Sequence, residues 1–114
     1  MNDGTSYQVD HYCLIVGLPE EVDHHSSQAL RKEMEEQLGR HYVRRIVFDF
    51  SKTRFMDSSG IGVLLGRYKE MKGRGGDTVL CGLNEQIRRI LKISGIPGLM
   101  PCCEDWQTAR DYRS

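Results

Sequence analysis

Arg45-Ile46-Val47-Phe48-Asp49-Phe50, a loop from Ser51 to Met56, and then Asp57-Ser58-Ser59-Gly60-Ile61-Gly62-Val63-Leu64-Leu65-Gly66-Arg67-Tyr68-Lys69 form the stretch that decides how this chain folds. The first six residues alternate little and are rich in β-branched and aromatic types, as a central strand requires. Beyond the loop, apolar residues return at Ile61, Leu64, Leu65 and Tyr68, with Arg67, Lys69, Glu70 and Lys72 between them. That spacing is helical. A strand, a loop and a helix in this order make half of a crossover unit, and the flanking sequence repeats the order on both sides.

Upstream, Tyr7-Gln8-Val9 and Tyr12-Cys13-Leu14-Ile15-Val16 read as two strands around a tight polar turn at Asp10-His11. The second run is apolar throughout, which fits a strand covered on both faces. Asp23 caps a helix beginning near His24, whose stripe is Leu30, Met34 and Leu38 and whose stop is Gly39. Downstream, Gly73-Arg74-Gly75-Gly76 ends the second helix and Thr78-Val79-Leu80-Cys81 gives another strand. Asn84 caps a third helix with the stripe Ile87, Ile90 and Leu91, and Gly95 and Pro97 terminate it. A short strand near Leu99-Met100 and a helix from Trp106 to Tyr112 complete the reading. The expectation is a single α/β domain over residues 1–114. It has a mixed, mostly parallel sheet of roughly four or five strands, an antiparallel strand at its amino-terminal end, and about four helices.

The length suits one domain with a real core. With 16 basic and 16 acidic side chains the formal net charge is zero, against the basic excess usual in nucleic-acid binders. The longest apolar run, Tyr12 to Val16, is far short of a membrane span of about 20 residues. The first residues have neither the basic start nor the apolar stretch of a secretory leader, so a cytoplasmic location is expected. Cys13 and Cys81 lie within apolar strand-like runs, and Cys102-Cys103 lacks zinc-ligand spacing, so free thiols are expected rather than disulfides or a metal site.

Chemistry concentrates in Phe55 to Gly62, where two serines stand between a strand-end loop and a helix start. Asp57 or Ser58 as a simple helix cap is one reading of these residues. A serine hydrolase elbow needs Gly-x-Ser-x-Gly, and neither serine has the glycine two positions before it. A phosphate-binding loop needs a glycine pattern that Gly60, Gly62 and Gly66 do not supply. A phosphoacceptor serine needs only an exposed hydroxyl and a kinase that reads the loop. Nearby, Asp23, His24 and His25 lack a third partner at metal-ligand spacing, and by themselves read as a helix cap and solvent-exposed residues. The cations Arg67, Lys69, Lys72 and Arg74 read as a solvated helix face, and His11 and His41 as turn and helix-end residues.

Phe55-Met56-Asp57-Ser58-Ser59-Gly60-Ile61-Gly62-Val63-Leu64-Leu65-Gly66-Arg67-Tyr68-Lys69 resembles the phosphorylation segment of the STAS family of anti-sigma factor antagonists. Glu21-Val22-Asp23-His24-His25 is similar to the acidic-histidine loop of that family's sporulation branch, which acts on the anti-sigma-F kinase. Ile90-Leu91-Lys92-Ile93-Ser94-Gly95-Ile96 resembles its third helix. The likeness runs from Tyr7 to Met100. One departure stands out, since Glu20, preceded by Pro19, occupies the glycine position of the family's Gly-Glu-Leu-Asp pattern.

The resemblance implies a switch rather than an enzyme, with no cofactor and no metal. Its partners would be a dimeric anti-sigma serine kinase carrying ATP or ADP and a PP2C-type serine phosphatase, with no nucleic acid or membrane bound directly. The unmodified protein would bind the kinase and release a sporulation sigma factor, and phosphorylation of Ser58 would end that binding. Glu21, Asp23, His24, Met56, Asp57, Ser59, Gly60 and Ile61 would make the partner surface, with Met56 and Ile61 equally suited to the core. The alternatives within the same family are a subunit of a stress-signalling scaffold and a small-ligand-binding module.

Overall fold

The computed structural model describes residues 4–113. Its main sheet has five strands, β1 (Ser6–Asp10), β2 (Cys13–Gly17), β4 (Arg45–Asp49), β6 (Asp77–Cys81) and β7 (Cys102–Cys103), in the order β1-β2-β4-β6-β7. β1 runs antiparallel to β2 and every other neighbour is parallel. Two further short strands, β3 (Glu21–Val22) and β5 (Phe55–Met56), pair in parallel as a separate ribbon. The helices are α1 (His24–Arg40), α2 (Ser58–Gly73), α3 (Glu85–Ile93) and α4 (Trp106–Arg110).

The pleat divides the core. Leu14, Val16, Ile46, Phe48 and Leu80 point to one face, where they meet Leu30, Met34 and Leu38 of α1, Val63, Leu64 and Met71 of α2, and Ile87 and Leu91 of α3. Cys13, Ile15, Val47, Val79 and Cys81 point to the other, under Ala109, Trp106 and Tyr112 of the α4 region. Coverage on both sides is why these strands read as unbroken apolar runs. The buried cysteines act as small apolar side chains, and burial pushes the Cys13 thiol up to about 11 and the Cys81 thiol higher still. All four cysteines are free.

Some boundaries differ from the sequence reading. The hairpin turn centres on His11 and Tyr12, because Asp10 pairs with Cys13, and His11 takes a positive φ of 59°. α1 passes Gly39 and ends at Arg40, capped by His41, whose N–H still reaches the Gln37 carbonyl at 3.1 Å. The last strand is Cys102–Cys103 rather than Leu99-Met100, which sits just beyond a 3-10 turn at Ile96–Gly98. There Ile96 and Met100 are drawn into the core, so the chain reaches the sheet edge only after Pro101. Arg67 is not on a solvated face: its side chain is 13% exposed, bonded to Glu70 and to the Arg31 carbonyl across α1. Among the described residues, no helix is long and apolar enough to cross a membrane.

Candidate functional site

The β3–β5 ribbon builds the site. Its register sets Glu21 beside Phe55 and Val22 beside Met56, so the next residues, Asp23 and Asp57, start α1 and α2 side by side. Arg54 N–H donates to the Glu20 carbonyl at 2.8 Å, and Asp57 N–H to the Val22 carbonyl at 3.1 Å. The loop behind is fixed as well. The wholly buried Thr53 hydroxyl donates to the Pro19 carbonyl at 2.9 Å, and the Asn84 side chain donates to the Thr53 carbonyl at 2.9 Å. Glu20 holds this path without a left-handed backbone, since among the described non-glycine residues only His11 has positive φ. The glycine usual in the family's pattern is therefore not required here.

Each helix start is capped by its aspartate. Asp23 accepts from Ser26 N–H at 2.9 Å while Ser26 Oγ accepts from Asp23 N–H at 2.9 Å, a reciprocal box. The Ser26 backbone N–H, helped by its hydroxyl, holds the Asp23 carboxyl below the usual carboxylate range. Asp57 accepts from Ser59 N–H at 2.8 Å and Gly60 N–H at 3.4 Å. The capping reading and the site reading thus describe the same residues: the caps orient the loop that presents the serines.

Ser58 is the first residue of α2 and is exposed, whereas Ser59 is half-buried with its hydroxyl 3.5 Å from His24 Nδ1. Glu21 and His24 are exposed, Asp23 and Asp57 are half-buried, and Ile61 is half-buried against the core. Two of the expected contact residues are not on the surface. Met56 is 3% exposed because the two-residue strand turns Phe55 outward and Met56 inward, and Gly60 is buried directly over it. A Cβ on Gly60 would lie 2.8 Å from both Met56 Cγ and Val22 Cγ1. These two residues support the loop from below.

The sequence reading missed Phe55, which is 44% exposed next to the serine loop, although strand alternation from the inward Met56 would have found it. It also passed over Arg31, two turns along the same face of α1 from His24. His25 is exposed, and among the described residues no group of three or more His, Cys, Asp or Glu side chains is placed to hold a metal ion. A cavity of about 880 Å³ opens at the other end of the sheet, between the β1–β2 turn and the carboxy-terminal residues, away from the serines.

Residues 5–109 match the model of the STAS domain. The chain is 43% identical over 88 residues to an anti-sigma F factor antagonist of Paenibacillus polymyxa, covering 77% of this chain and 75% of the relative. It is 30% identical to an anti-sigma F factor antagonist of Lysinibacillus sphaericus, covering 81% of this chain and 80% of that one. Among solved structures it superposes on the anti-sigma factor antagonist SpoIIAA in its unphosphorylated form with a TM-score of 0.81, at 25% identity, over 96% of this chain and 99% of the other. It superposes on phosphorylated SpoIIAA, described as a Bacillus cell fate determinant, with a TM-score of 0.74, at 26% identity and the same coverages. The paired helix starts, the mixed sheet and these matches together establish that the chain belongs to the STAS family.

Proposed function

We propose that this protein is an anti-sigma factor antagonist of the sporulation type, switched by phosphorylation of Ser58. The exposed Ser58 hydroxyl at the start of α2, flanked by the Glu21–His24 loop, carries the reading. The unmodified form docks on a nucleotide-bound anti-sigma serine kinase and frees the sigma factor. The kinase then moves the γ-phosphoryl group of ATP onto Ser58 Oγ, with loss of the hydroxyl proton and release of ADP, and the modified protein leaves. A PP2C-type phosphatase hydrolyses the ester and restores the docking form.

The electrostatics suit such a switch. A phosphate adds about −1.5 to −2 charges beside Asp57, next to the paired segment that carries Glu21 and Asp23. A hundredfold loss of affinity needs only about 2.7 kcal/mol, within reach of one poorly paired charge in a docked surface. The helix start stabilises the same charge in the free protein by about 0.3–1 kcal/mol, so release requires no refolding. Ser58 is favoured over Ser59 as the acceptor because Ser59 is half-buried and faces His24.

The test is to mix the protein with a candidate serine kinase and ATP and locate the added mass of about 80 Da by fragment mass spectrometry. A single phosphate on Ser58 supports the reading. Phosphate on Ser59 alone, or none with an active cognate kinase, overturns it.

A further inference from the structure

The face of α1 beside the serine loop carries His24, Gln28 and Arg31, spaced so that they lie one above another along the helix. The ladder is continuous with α2. His24 Nδ1 is 3.5 Å from Ser59 Oγ, and its other ring nitrogen is 3.3 Å from Gln28 Nε2. One turn further, the Arg31 guanidinium lies across α2 at Gly62, where a Cβ would stand 3.2 Å from Nη2. Gly62 is four residues beyond Ser58, so the two share a face of α2 with side-chain origins about 5–6 Å apart. A phosphoryl group on Ser58 therefore comes within reach of the guanidinium without any backbone movement.

Arg31 is also uncommitted. Among the described residues it takes part in none of the ion pairs, while its neighbour Arg67 is engaged by Glu70 and by the Arg31 carbonyl. The Arg67 bond pins the Arg31 backbone against α2 and leaves the Arg31 side chain available. An unpaired guanidinium near a serine that gains a dianion is the arrangement in which charge-assisted hydrogen bonds form.

We propose that Arg31, with His24 beside it, is an intramolecular receptor for the phosphoryl group on Ser58. This rests on the reading that Ser58 carries the phosphate. In the modified protein the new charge is gathered against α1, so Arg31 and His24 are occupied by the phosphate and withdrawn from the surface that meets the kinase. Modification thus alters the docking face twice, by adding an anion and by engaging two of the residues around it.

The experiment places phosphoserine at position 58 of the full chain during translation, which needs no kinase, and titrates it by ³¹P NMR. In the wild type the second phosphate pKa should fall about 0.5 unit or more below the value near 6 of an unrestrained phosphoserine. R31Q should return most of that difference, H24Q a smaller part, and R31K should keep most of it. A ¹H–¹⁵N spectrum should show the Arg31 Nε–H signal moving on phosphorylation, a change that a packing role for Arg31 would not produce. Identical titrations for wild type and R31Q, with an unmoved Arg31 signal, would overturn the proposal. The switch reading fails separately, if phosphoserine at position 58 leaves kinase affinity unchanged.

Discussion

The backbone N–H of Asp57 donates to the carbonyl of Val22 at 3.1 Å, tying the cap of one helix to the strand that leads into the other. Through this bond and the β3–β5 register, segments 34 positions apart in sequence become one surface. The serine loop and the acidic-histidine loop are therefore a single structural unit, and a substitution in either should be felt by the other.

Ser58→Asp should weaken binding to the cognate kinase by about a hundredfold or more, corresponding to about 2.7 kcal/mol. Ser58→Ala should bind and stay bound when ATP is added. Calorimetry on both variants with ATP present checks this, and equal affinities would sink the switch model.

Gly60→Ala should be strongly destabilising despite the helix preference for alanine. The added methyl would press on Met56 and Val22 at 2.8 Å, and overpacking of this kind costs about 1–3 kcal/mol. Gly66, with nothing within 4 Å of its Cβ position, is the control: Gly66→Ala should be neutral or stabilising. The melting temperature should fall for Gly60→Ala and hold or rise for Gly66→Ala.

Asp57→Ala should cost about 1 kcal/mol by removing a helix cap. Because the same carboxylate holds Ser59 and Gly60 N–H groups, it should also loosen the serine loop. Amide exchange at residues 59 and 60 should accelerate more than at residues in the middle of α2. Uniform acceleration along the helix would show that the cap has no local role.

Stability should fall on the acid side. The Ser26 backbone N–H lowers the Asp23 carboxyl, the Thr108 backbone N–H lowers Asp105, and the Arg110 guanidinium lowers both Asp10 and Asp111. Each folded-state value lies below its unfolded value, so each contribution is complete above about pH 4 and is lost as pH falls through the lowered folded values. Melting temperature followed from pH 6 to pH 2 should drop in that window, and Asp23→Asn should flatten the drop. A variant profile parallel to the wild type would remove Asp23 from the account.

Arg45→Ala should release the carboxy-terminal helix. Its guanidinium makes paired bonds to Asp77 at 2.8 and 2.9 Å and donates to the carbonyls of Ala109 and Arg110 at 3.1 and 2.8 Å. Losing these bonds should cost about 1–3 kcal/mol and uncover the face that holds Cys13 and Cys81. Both thiols should then react faster with an alkylating reagent. Unchanged alkylation rates would mean that α4 docks on its apolar contacts alone.

Much of this molecule was legible from patterning. Residues buried on both faces of a sheet cannot alternate, so β2, β4 and β6 announced themselves as apolar runs, and their helices by stripes and aspartate or asparagine caps. What escaped was decided by tertiary packing. Cys102-Cys103 carries no strand signal because a two-residue edge strand needs only a neighbour, and Ile96 and Met100 had first to be buried. Met56 seemed suited to a partner surface from its place in the motif, yet the β3–β5 pairing turns it inward and leaves Phe55 outside. Arg31 and Arg67 are ordinary helix cations in sequence, and only the approach of α1 to α2 gives them distinct surroundings.

The burial of Gly60 over Met56 and Val22 decides what a kinase would meet at Ser58 under the proposed switch. Many kinases accept a serine in a pliable segment that drapes along a cleft, reading side chains in succession. Here Ser58 is moored to a helix whose first turn is packed shut and hydrogen-bonded to its cap. A synthetic peptide spanning residues 52–64 would hold every letter of the motif and almost none of its shape, and under the proposed switch a kinase acting on Ser58 would have to fit itself around a finished relief.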